Sequence, residues 1–310
     1  MWTEPERFLH RDDVAATYDR ETGSMLIGKD RVRPVSPMLI DISVTQRCSA
    51  GCPFCYQDAT PEGKEADPDI ILNGLKNLPF KPFQIALGGG EPVNWPKLLD
   101  FCRDLEDLDI DATMTVGPGI SDDGLFQLSF TPRTLKAIGV SFVEGGDDDL
   151  FCDVIEERRT KAVAHIVLHR ENLEALAKRF HDRWWPDGLS GVVLLLPKPV
   201  GRGVRLTPPT KAEILSFINE AVMPWYNWYG GTRTVAADPC LGITIPGLPT
   251  FLLSGCDGGQ YSMYWNAVEG TLSRCSFLKE EAQPWDGTRE GFEKIWAGWE
   301  RVKECQFLPK

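Results

Sequence analysis

The chain has few basic residues for its acidic content, and this shortage limits what it can bind. Its 310 residues include 33 Lys and Arg against 45 Asp and Glu, a net charge of −12. Proteins that hold nucleic acid through its phosphates carry a basic stripe, so nucleic acid is not an expected partner. No apolar run approaches the length needed to cross a bilayer, so we expect no membrane partner. Residues 1–7 lack the cationic end and apolar core of a signal peptide, and we expect a cytoplasmic protein.

What the chain does contain fits a globular protein with metal or redox chemistry. Hydrophobic residues make up 42% of the sequence and charged residues 25%, which is ordinary for a folded domain with a sizeable core. Nine cysteines in a reducing compartment indicate metal or redox work rather than disulfides.

Short apolar, β-branched runs alternate with segments of helical period through the middle of the chain. Repeated β-then-α units imply parallel strands covered by helices, and six such units would form an incomplete, TIM-like (β/α)6 barrel in the α/β class. In such barrels the active site lies at the C-terminal ends of the strands. The predicted strands are residues 38–44, 83–87, 111–116, 137–143, 162–168 and 191–196, and the predicted helices are residues 70–78, 96–108, 172–183 and 210–222.

The two ends of the chain read differently from this middle part. Residues 1–37 are polar and irregular, with prolines at 34 and 37, and read as an N-terminal extension. From residue 223 the pattern changes to Gly, Pro, Trp and Cys without a long period. We therefore expect three parts: residues 1–37, a barrel over 38–222, and a small cysteine-rich domain over 223–310.

Three cysteines directly after the first predicted strand are the most informative residues. Cys48, Cys52 and Cys55 have C-x3-C-x2-C spacing, with Gly51 and Pro53 between them. A [4Fe–4S] cube needs four ligands, so a loop that supplies three thiolates leaves one iron open for chemistry. A structural zinc loop is the alternative, but zinc sites repeat short ligand pairs, and no second C-x2-C or C-x2–4-H pair occurs nearby.

This spacing, followed by Tyr56, resembles the radical S-adenosylmethionine (SAM) enzymes, whose core is also a partial (β/α)6 barrel. In that family the open iron chelates the amino and carboxylate groups of SAM. The second predicted strand ends in a run similar to the family's "GGE" motif, which binds the SAM amino group. The resemblance thus assigns a SAM-binding site to Tyr56, Gly88, Gly89, Gly90 and Glu91.

The C-terminal cysteines resemble a second feature of some members of this family. Cys256, Gly270 and Cys275 follow a C-x13-G-x4-C pattern, which looks like the opening of the SPASM and "twitch" extensions that hold auxiliary iron–sulfur clusters. The later cysteine run of a full SPASM domain is absent, which favours one auxiliary cluster with Cys240 and Cys305 as the other ligands. If Cys240 is not a ligand, one iron of that cluster remains open. A face of apolar residues over 288–304 predicts a helix that carries Cys305 back to the cluster.

Two further residues are candidates for catalysis. Cys152 follows the fourth predicted strand and is a candidate hydrogen-atom donor, although packing explains most free cysteines. Arg202, in a run after the sixth strand, is expected at the barrel mouth, where its guanidinium could hold a substrate carboxylate or a backbone carbonyl; it could equally be a turn residue. The acidic run over 144–149 is predicted to be a solvated loop.

The resemblance implies an enzyme that reductively cleaves SAM to a 5′-deoxyadenosyl radical, which abstracts hydrogen from a substrate. Relatives with SPASM or twitch extensions act mostly on peptides or proteins, so we expect a maturase of a ribosomally made peptide that forms crosslinks or thioethers or inverts a stereocentre. Flavodoxin or ferredoxin would supply electrons. Only 47 residues precede Cys48, too few for a fused leader-binding domain, so a separate leader-binding protein or direct capture is expected.

Two other functions stay open. The first is a radical SAM enzyme for a small nucleotide or cofactor precursor, which would line its mouth with Arg or Lys rather than with a neutral groove. The second is a non-catalytic iron–sulfur electron carrier. The glycine run and Glu91 count against the carrier, because an electron carrier does not need a site for the SAM amine.

Overall fold

A large sheet of mostly parallel strands organises the chain in the computed structural model. The structure describes residues 8–11, 13, 15–27, 32–130, 133–156, 161–244, 248–249 and 256–299. The strands are β1 (Phe8–Arg11), β2 (Ala16–Asp19), β3 (Ser24–Leu26), β4 (Leu39–Thr45), β5 (Gln84–Gly89), β6 (Asp111–Val116), β7 (Leu135–Phe142), β8 (Lys161–Val167), β9 (Gly191–Leu195), β10 (Thr234–Ala237), β11 (Ser262–Asn266), β12 (Thr271–Ser273) and β13 (Gln283–Pro284).

Helices follow most of the central strands. They are α1 (Pro68–Asn77), α2 (Leu98–Asp107), α3 (Asp122–Ser129), α4 (Asp148–Glu156), α5 (Leu173–Asp182), α6 (Lys211–Phe217), α7 (Met223–Trp228), α8 (Pro239–Thr244) and α9 (Arg289–Gly298), with a π-helical turn over Ile218–Val222 between α6 and α7.

The sheet has the strand order β10-β9-β8-β7-β6-β5-β4-β11-β12-β13. Strands β4 to β9 pair in parallel and in sequence order, which confirms the α/β class and the partial (β/α)6 barrel predicted from the sequence. The sheet is open, since β10 lies at one edge and β13 at the other. The carboxyl ends of β4 to β9 therefore meet on one side, where the loops after them can form a site.

The part after residue 222 extends this same sheet. The helical segment runs without a break through α6, the π turn and α7, and β10 pairs in parallel with β9. Further along, β11 pairs in parallel with β4 and continues into the antiparallel strands β12 and β13. The change in sequence pattern at residue 223 thus falls inside a continuous helical segment, and strands on both sides of it share one sheet.

Alternation of side chains along the strands separates the core from the barrel interior. In β4, Ile40, Ile42 and Val44 are buried in the core that the helices cover. Because successive strand residues point to opposite faces, Asp41 and Ser43 face the other side. The first covering helix, α1, begins at a proline after Asp67, whose side chain caps the helix by accepting a hydrogen bond from the backbone N–H of Asp69.

The N-terminal residues are more regular than their polar sequence indicates. The described part of residues 1–37 forms an antiparallel sheet in the order β1-β2-β3. Arg20 follows β2 and reaches the buried Asp111 at the start of β6, with 2.7 Å between Nη2 and Oδ1. Lys136 Nζ lies 3.6 Å from the same oxygen. The prediction of an irregular segment is wrong here, since the segment forms three paired strands. The buried ion pair of Arg20 with Asp111 joins this small sheet to the N-terminal end of the barrel, whereas Lys136 belongs to the barrel strand β7.

The acidic run over 144–149 also has more structure than predicted. Helix α4 begins at Asp148. Arg179 of α5 forms ion pairs with two residues of the run, with 2.8 Å between its Nε and Glu144 Oε2 and 3.0 Å between its Nη1 and Asp148 Oδ2. The expectation of a solvated loop is therefore wrong at Glu144 and Asp148, because both carboxylates form ion pairs with the same arginine. In the C-terminal segment predicted over 288–304, helix α9 spans Arg289–Gly298, and Cys305 lies outside the described residues. Within the described ranges, the structure contains no helix long and apolar enough to span a membrane.

Candidate active site

A cavity of about 400 Å³ opens at the carboxyl ends of the barrel strands. Its wall brings together the loop after β4 and the loop after β5, which are about forty residues apart in the chain. The three loop cysteines, the glycine run, Tyr56 and Arg202 all line this one space, as their sequence positions predict.

The three cysteines of the loop after β4 all line the cavity wall. Burial, together with repulsion from Cys48 and Cys55, raises the pKa of Cys52 to about 11. Three cysteine thiols in one cavity wall fit an iron–sulfur cluster, whose irons would neutralise the thiolates. Arg202 is a nearby cation that lowers the pKa of Cys48 and Cys52 against the effect of burial. The assignment of Cys48, Cys52 and Cys55 as cluster ligands stays a prediction, with which their common place in the cavity wall is compatible.

Residues 201 and 202 hold this loop from the opposite side of the barrel. The Arg202 guanidinium donates to the Cys52 carbonyl at 2.9 Å and to the Ala59 carbonyl at 3.2 Å and 3.3 Å. The backbone N–H of Arg202 donates to the Cys55 carbonyl at 2.9 Å. Gly201 has a φ of +57°, and a Cβ there would lie 2.7 Å from the carbonyl oxygens of Cys55 and Tyr56, so only glycine allows this approach. Arg202 is thus a positioning residue of the cysteine loop.

The glycine run after β5 packs against the start of the cysteine loop. The backbone N–H of Gly90 donates to the Thr45 carbonyl at 2.6 Å, and that of Glu91 donates to the Arg47 carbonyl at 2.8 Å. A Cβ on Gly90 would lie 2.2 Å from the Arg47 carbonyl oxygen, which explains the glycine at this position. The two sequence motifs are therefore one structural unit.

Glu91 is a buried carboxylate with one oxygen left without a partner. Its side chain is 1% exposed, and Oε2 accepts a hydrogen bond from the backbone N–H of Gly117 at 2.8 Å. Oε1 is buried and has no hydrogen-bond partner among the described residues. Burial raises the pKa of Glu91 to about 8, against the opposing hydrogen bonds from the backbone of Gly117, Val93 and Gly119. An orphaned carboxylate oxygen beside the cavity fits the ammonium group of SAM, which would supply the missing donor.

Tyr56 joins the cysteine loop to the C-terminal segment. Its ring meets Phe277 edge-on with 4.7 Å between ring centroids, and burial raises the pKa of its hydroxyl. Gln57, next in the chain, donates from Nε2 to the hydroxyl of Tyr264 on β11 at 2.9 Å. Ser276 and Phe277 line the cavity beside the cysteine loop, so the segment that follows Cys275 forms part of the cavity wall.

The structure brings together three of the four C-terminal cysteines. Burial raises the pKa of Cys275 to about 12, with repulsion from Cys240 and Cys256 as further causes. Cys240 lies in α8 and Cys256 lies before β11, so two separate segments carry these thiols to Cys275. Cys305, the fourth predicted ligand, is outside the described residues.

Cys152 is placed away from this site. It lies on α4, in the outer helical layer, where it is packed against the core and does not line the cavity.

Several polar residues of the cavity wall are not site residues in the sequence analysis, and four of them are acidic or basic: Asp41, His165, Lys198 and Asp238. Asp41 and His165 project from β4 and β8, and burial lowers the pKa of His165 to about 4, so this ring is neutral near pH 7. Lys198 follows β9 and forms an ion pair with Asp238, with 2.9 Å between Nζ and Oδ2. The polar alternation in β4 could have indicated Asp41, whereas no sequence pattern links Lys198 to a residue forty positions away.

Comparison with known proteins agrees with this site. Residues 42–166 match the family model described as Radical SAM superfamily. The chain carries a radical SAM domain. This stretch begins in β4 and ends in β8, and it includes the cysteine loop and the glycine run but none of the C-terminal cysteines. Radical SAM domains use a [4Fe–4S] cluster and SAM, and the chain is accordingly an enzyme of this kind.

One curated relative shares part of the sequence. It is the 7,8-dihydro-6-hydroxymethylpterin dimethyltransferase of Methanocaldococcus jannaschii, which is 34% identical over 77 residues. The match covers 22% of this chain and 15% of that protein.

Solved structures of radical SAM enzymes share the fold at low sequence identity. Streptococcus suis SuiB bound to the precursor peptide SuiA has a TM-score of 0.63 and 14% identity, covering 87% of this chain and 68% of that one. The enzyme anSMEcpe with bound AdoMet and the Cp18Cys peptide has a TM-score of 0.57 and 15% identity, covering 85% of this chain and 81% of that one. At these identities the likeness concerns the fold.

Proposed function

We propose that this radical SAM enzyme modifies a peptide, with Cys48, Cys52 and Cys55 holding the [4Fe–4S] cluster and residues 88–91 holding SAM. When bound, the cluster and SAM supply a 5′-deoxyadenosyl radical that abstracts hydrogen from the substrate. The chain itself orients SAM through Glu91, fixes the cysteine loop through Arg202, and surrounds the reacting atoms with a walled cavity.

The observation that carries this proposal is the unpartnered Oε1 of Glu91, beside the same cavity as the three thiols. A buried carboxylate without a partner costs stability, so packing does not account for it. An ammonium ion at this position would satisfy the oxygen and favour its ionised form.

Two observations support a peptide rather than a phosphorylated small molecule. The cations in the described cavity wall are Lys198 and Arg202, and both are committed: Lys198 to Asp238, and Arg202 to the backbone of the cysteine loop. A phosphate would therefore have to compete for cations that already have partners. Two proteins with this fold, SuiB and anSMEcpe, have been solved with peptides bound. The modification would be a crosslink, a thioether or an epimerisation, with flavodoxin or ferredoxin as reductant and a leader-binding protein as a further partner.

We also propose an auxiliary [4Fe–4S] cluster at Cys240, Cys256, Cys275 and Cys305. Two features support it: Cys240 and Cys256 both act electrostatically on Cys275, raising its pKa, and the segment after Cys275 contributes Ser276 and Phe277 to the cavity wall. A cluster there would be near enough to the substrate to accept an electron as product forms. The parts proposed from the sequence remain an extension over 1–37, the barrel over 38–222 and an auxiliary-cluster part over 223–310, which shares the sheet of the barrel through β10 and β11.

A Glu91→Gln variant tests the SAM site. Gln keeps the shape and can still accept from Gly117, but it loses the charge that would hold the ammonium. We expect SAM affinity to fall by about 1.5–3 kcal/mol, roughly 10- to 150-fold, because charged hydrogen bonds contribute that much. Equilibrium dialysis with labelled SAM measures the affinity, and 5′-deoxyadenosine released under strong reductant measures cleavage. Unchanged affinity in a folded Gln variant would contradict the site.

A second candidate function follows from the pterin enzyme. Its 34% identity over 77 residues favours a cofactor precursor such as a pterin as substrate. The two candidates differ in what accelerates 5′-deoxyadenosine formation. We expect short peptides to do so, and 7,8-dihydro-6-hydroxymethylpterin to leave the slow rate unchanged. If the pterin accelerated 5′-deoxyadenosine formation and peptides did not, the cofactor precursor would become the favoured substrate.

A further inference from the structure

Asp41 is a carboxylate in the cavity wall that no described residue neutralises. It lies on the inward face of β4, between Ala86 of β5 and Tyr264 of β11. Its side chain is open to the cavity, and no residue in the described part of the chain forms a hydrogen bond or an ion pair with it. The hydroxyl of Tyr264, on the neighbouring strand, is engaged by Gln57 instead.

The other charged groups of the cavity leave Asp41 without a counterion. Lys198 is paired with Asp238, and Arg202 holds the cysteine loop. The third basic side chain, His165, is neutral near pH 7 because burial lowers its pKa to about 4. Loss of bulk solvent raises the pKa of Asp41 to about 6, which still leaves it mostly ionised at neutral pH. As far as the described ranges extend, the interior of the barrel therefore presents a negative charge that no side chain compensates.

This charge lies apart from the proposed SAM amine site. Ser43, two residues after Asp41, lies opposite Gly88, at the level where the glycine run begins. Two residues along a strand span roughly 7 Å, so Asp41 is that much deeper in the barrel than the start of the glycine run. A group that contacts Asp41 would reach past SAM toward the floor of the cavity.

We propose that Asp41 binds a cationic group of the substrate, the ammonium or guanidinium of a lysine or arginine side chain in a peptide. This inference rests on the proposed peptide substrate and adds that the part of the peptide in the cavity carries a positive charge. A cation on Asp41 would restore the missing ion pair in a partly desolvated place, where a charged hydrogen bond contributes more than at the surface. It would also anchor one end of the substrate while a neighbouring atom lies at the radical site above.

The test measures binding of small probes to the full-length protein, anaerobically reconstituted and loaded with SAM. The probes are N-acetyl-lysine methylamide and its neutral counterpart N-acetyl-norleucine methylamide, followed by saturation-transfer NMR. We expect the lysine probe to bind at least tenfold more tightly than the norleucine probe. Asp41→Asn should bring the ratio of the two dissociation constants to about one, and Asp41→Glu should retain the preference for the lysine probe.

Matched controls separate this effect from charge and from folding. Asp104→Asn removes the same charge from the exposed side of α2 and should leave the tenfold preference intact. All variants should bind SAM equally, and melting curves should show that each is folded. Cadaverine supplies the cation without a peptide backbone, and binding of cadaverine as tight as that of the lysine probe would overturn the peptide as the source of the cation.

Two results would overturn the proposal itself: equal binding of the lysine and norleucine probes by the wild type, or a retained preference in folded Asp41→Asn. Neither result depends on SAM cleavage. Failure of the wild type to cleave SAM would instead count against the proposed function, so the two failures are distinguishable.

Discussion

Charged residues that are buried or that line the cavity fall into two groups according to whether they have a partner. Arg20 is paired with Asp111 at 2.7 Å, and Lys198 is paired with Asp238 at 2.9 Å, as expected for charges removed from bulk water. Glu91 has one orphaned oxygen, and Asp41 has no described partner. Both exceptions line the same cavity, so the unpaired charges are concentrated where cofactor and substrate are proposed to bind.

The stability of the protein should depend on pH through Asp41. Asp41 is open to the cavity, and the loss of bulk water there raises its pKa from 3.8 to about 6, so between these values the folded protein holds a proton that the unfolded chain has released. The free energy of unfolding therefore falls as pH rises through this window and stays lower above it. Asp41→Asn cannot ionise, and we expect its Tm to exceed that of the wild type at pH 7.5 by roughly 2–4 °C, with screening by cavity water limiting the gain.

This difference in Tm should shrink as the pH is lowered toward 4.5, where the wild-type carboxyl is protonated in the folded state. Scanning calorimetry across this range measures it. The exposed Asp104→Asn variant should change the Tm by less than a degree throughout. A gain in Tm for Asp41→Asn that is constant from pH 4.5 to 7.5 would contradict the raised pKa.

At the residue level, the sequence predicts the site only where a motif is local. The cysteine loop and the residues up to Glu91 are short runs whose spacing carries the chemistry, and the structure brings both to one cavity. Asp41 was missed because it lies within an apolar strand, although the polar–apolar alternation with Ser43 marks an inward face. The partners of Lys198 and Arg202 are far away in sequence, and only the fold brings them together.

At the level of elements, the short helical turn over Gly201–Arg205 should control how firmly the cysteine loop holds iron. Arg202→Met keeps most of the stem but removes the donors to the carbonyls of Cys52 and Ala59. Each such bond contributes about 1.5–3 kcal/mol, so we expect loss of the loop's cluster in air to be at least about tenfold faster. Bleaching of the iron–sulfur absorbance measures the rate. Arg205→Met, an exposed arginine in the same turn, is the control.

The N-terminal sheet should stabilise the barrel through one buried ion pair. Arg20→Met leaves Asp111 buried with only the more distant Lys136, whose Nζ is 3.6 Å away. Removing one partner of a buried pair costs about 3–5 kcal/mol, which denaturant unfolding would detect. Arg103→Met breaks the exposed pair with Asp100 and should cost less than about 1 kcal/mol. Equal losses in the two variants would mean that the N-terminal sheet contributes little.

Elements with strong periodicity were predicted, and short polar ones were not. The six central strands were identified because their apolar runs are long, and β6 spans the residues expected for it. Strands β1 to β3 have only three or four residues each, so their buried side chains are too few to show a period. The start of α4 was hidden in an acidic run, because its stabilising arginine comes from a later helix.

On the scale of the whole molecule, the fold brings the cysteine loop and the segment that follows Cys275 to one cavity wall. Cys48, Cys52 and Cys55 come from the loop after β4, while Cys275 leads into Ser276 and Phe277, which also line the cavity. If the loop cysteines and the C-terminal cysteines each hold a cube of four irons, the reconstituted protein should contain about eight irons per chain. Changing the three loop cysteines to Ala together should leave about four, and full retention of iron would contradict two separate sites.

The C-terminal cysteines should be dispensable for SAM cleavage but required for formation of the modified peptide. Cys256→Ala with Cys275→Ala leaves the radical SAM loop and Glu91 in place, so slow formation of 5′-deoxyadenosine should persist at near the wild-type rate. Modification of the peptide substrate should be lost, because the electron would have no acceptor beside the cavity. Mass spectrometry of the peptide and chromatography of the nucleoside measure the two outcomes in one reaction. Since loss of a cluster also removes its contribution to folding, melting curves must show that the variant is folded. A folded double variant that still makes full product would restrict the C-terminal cysteines to a structural role.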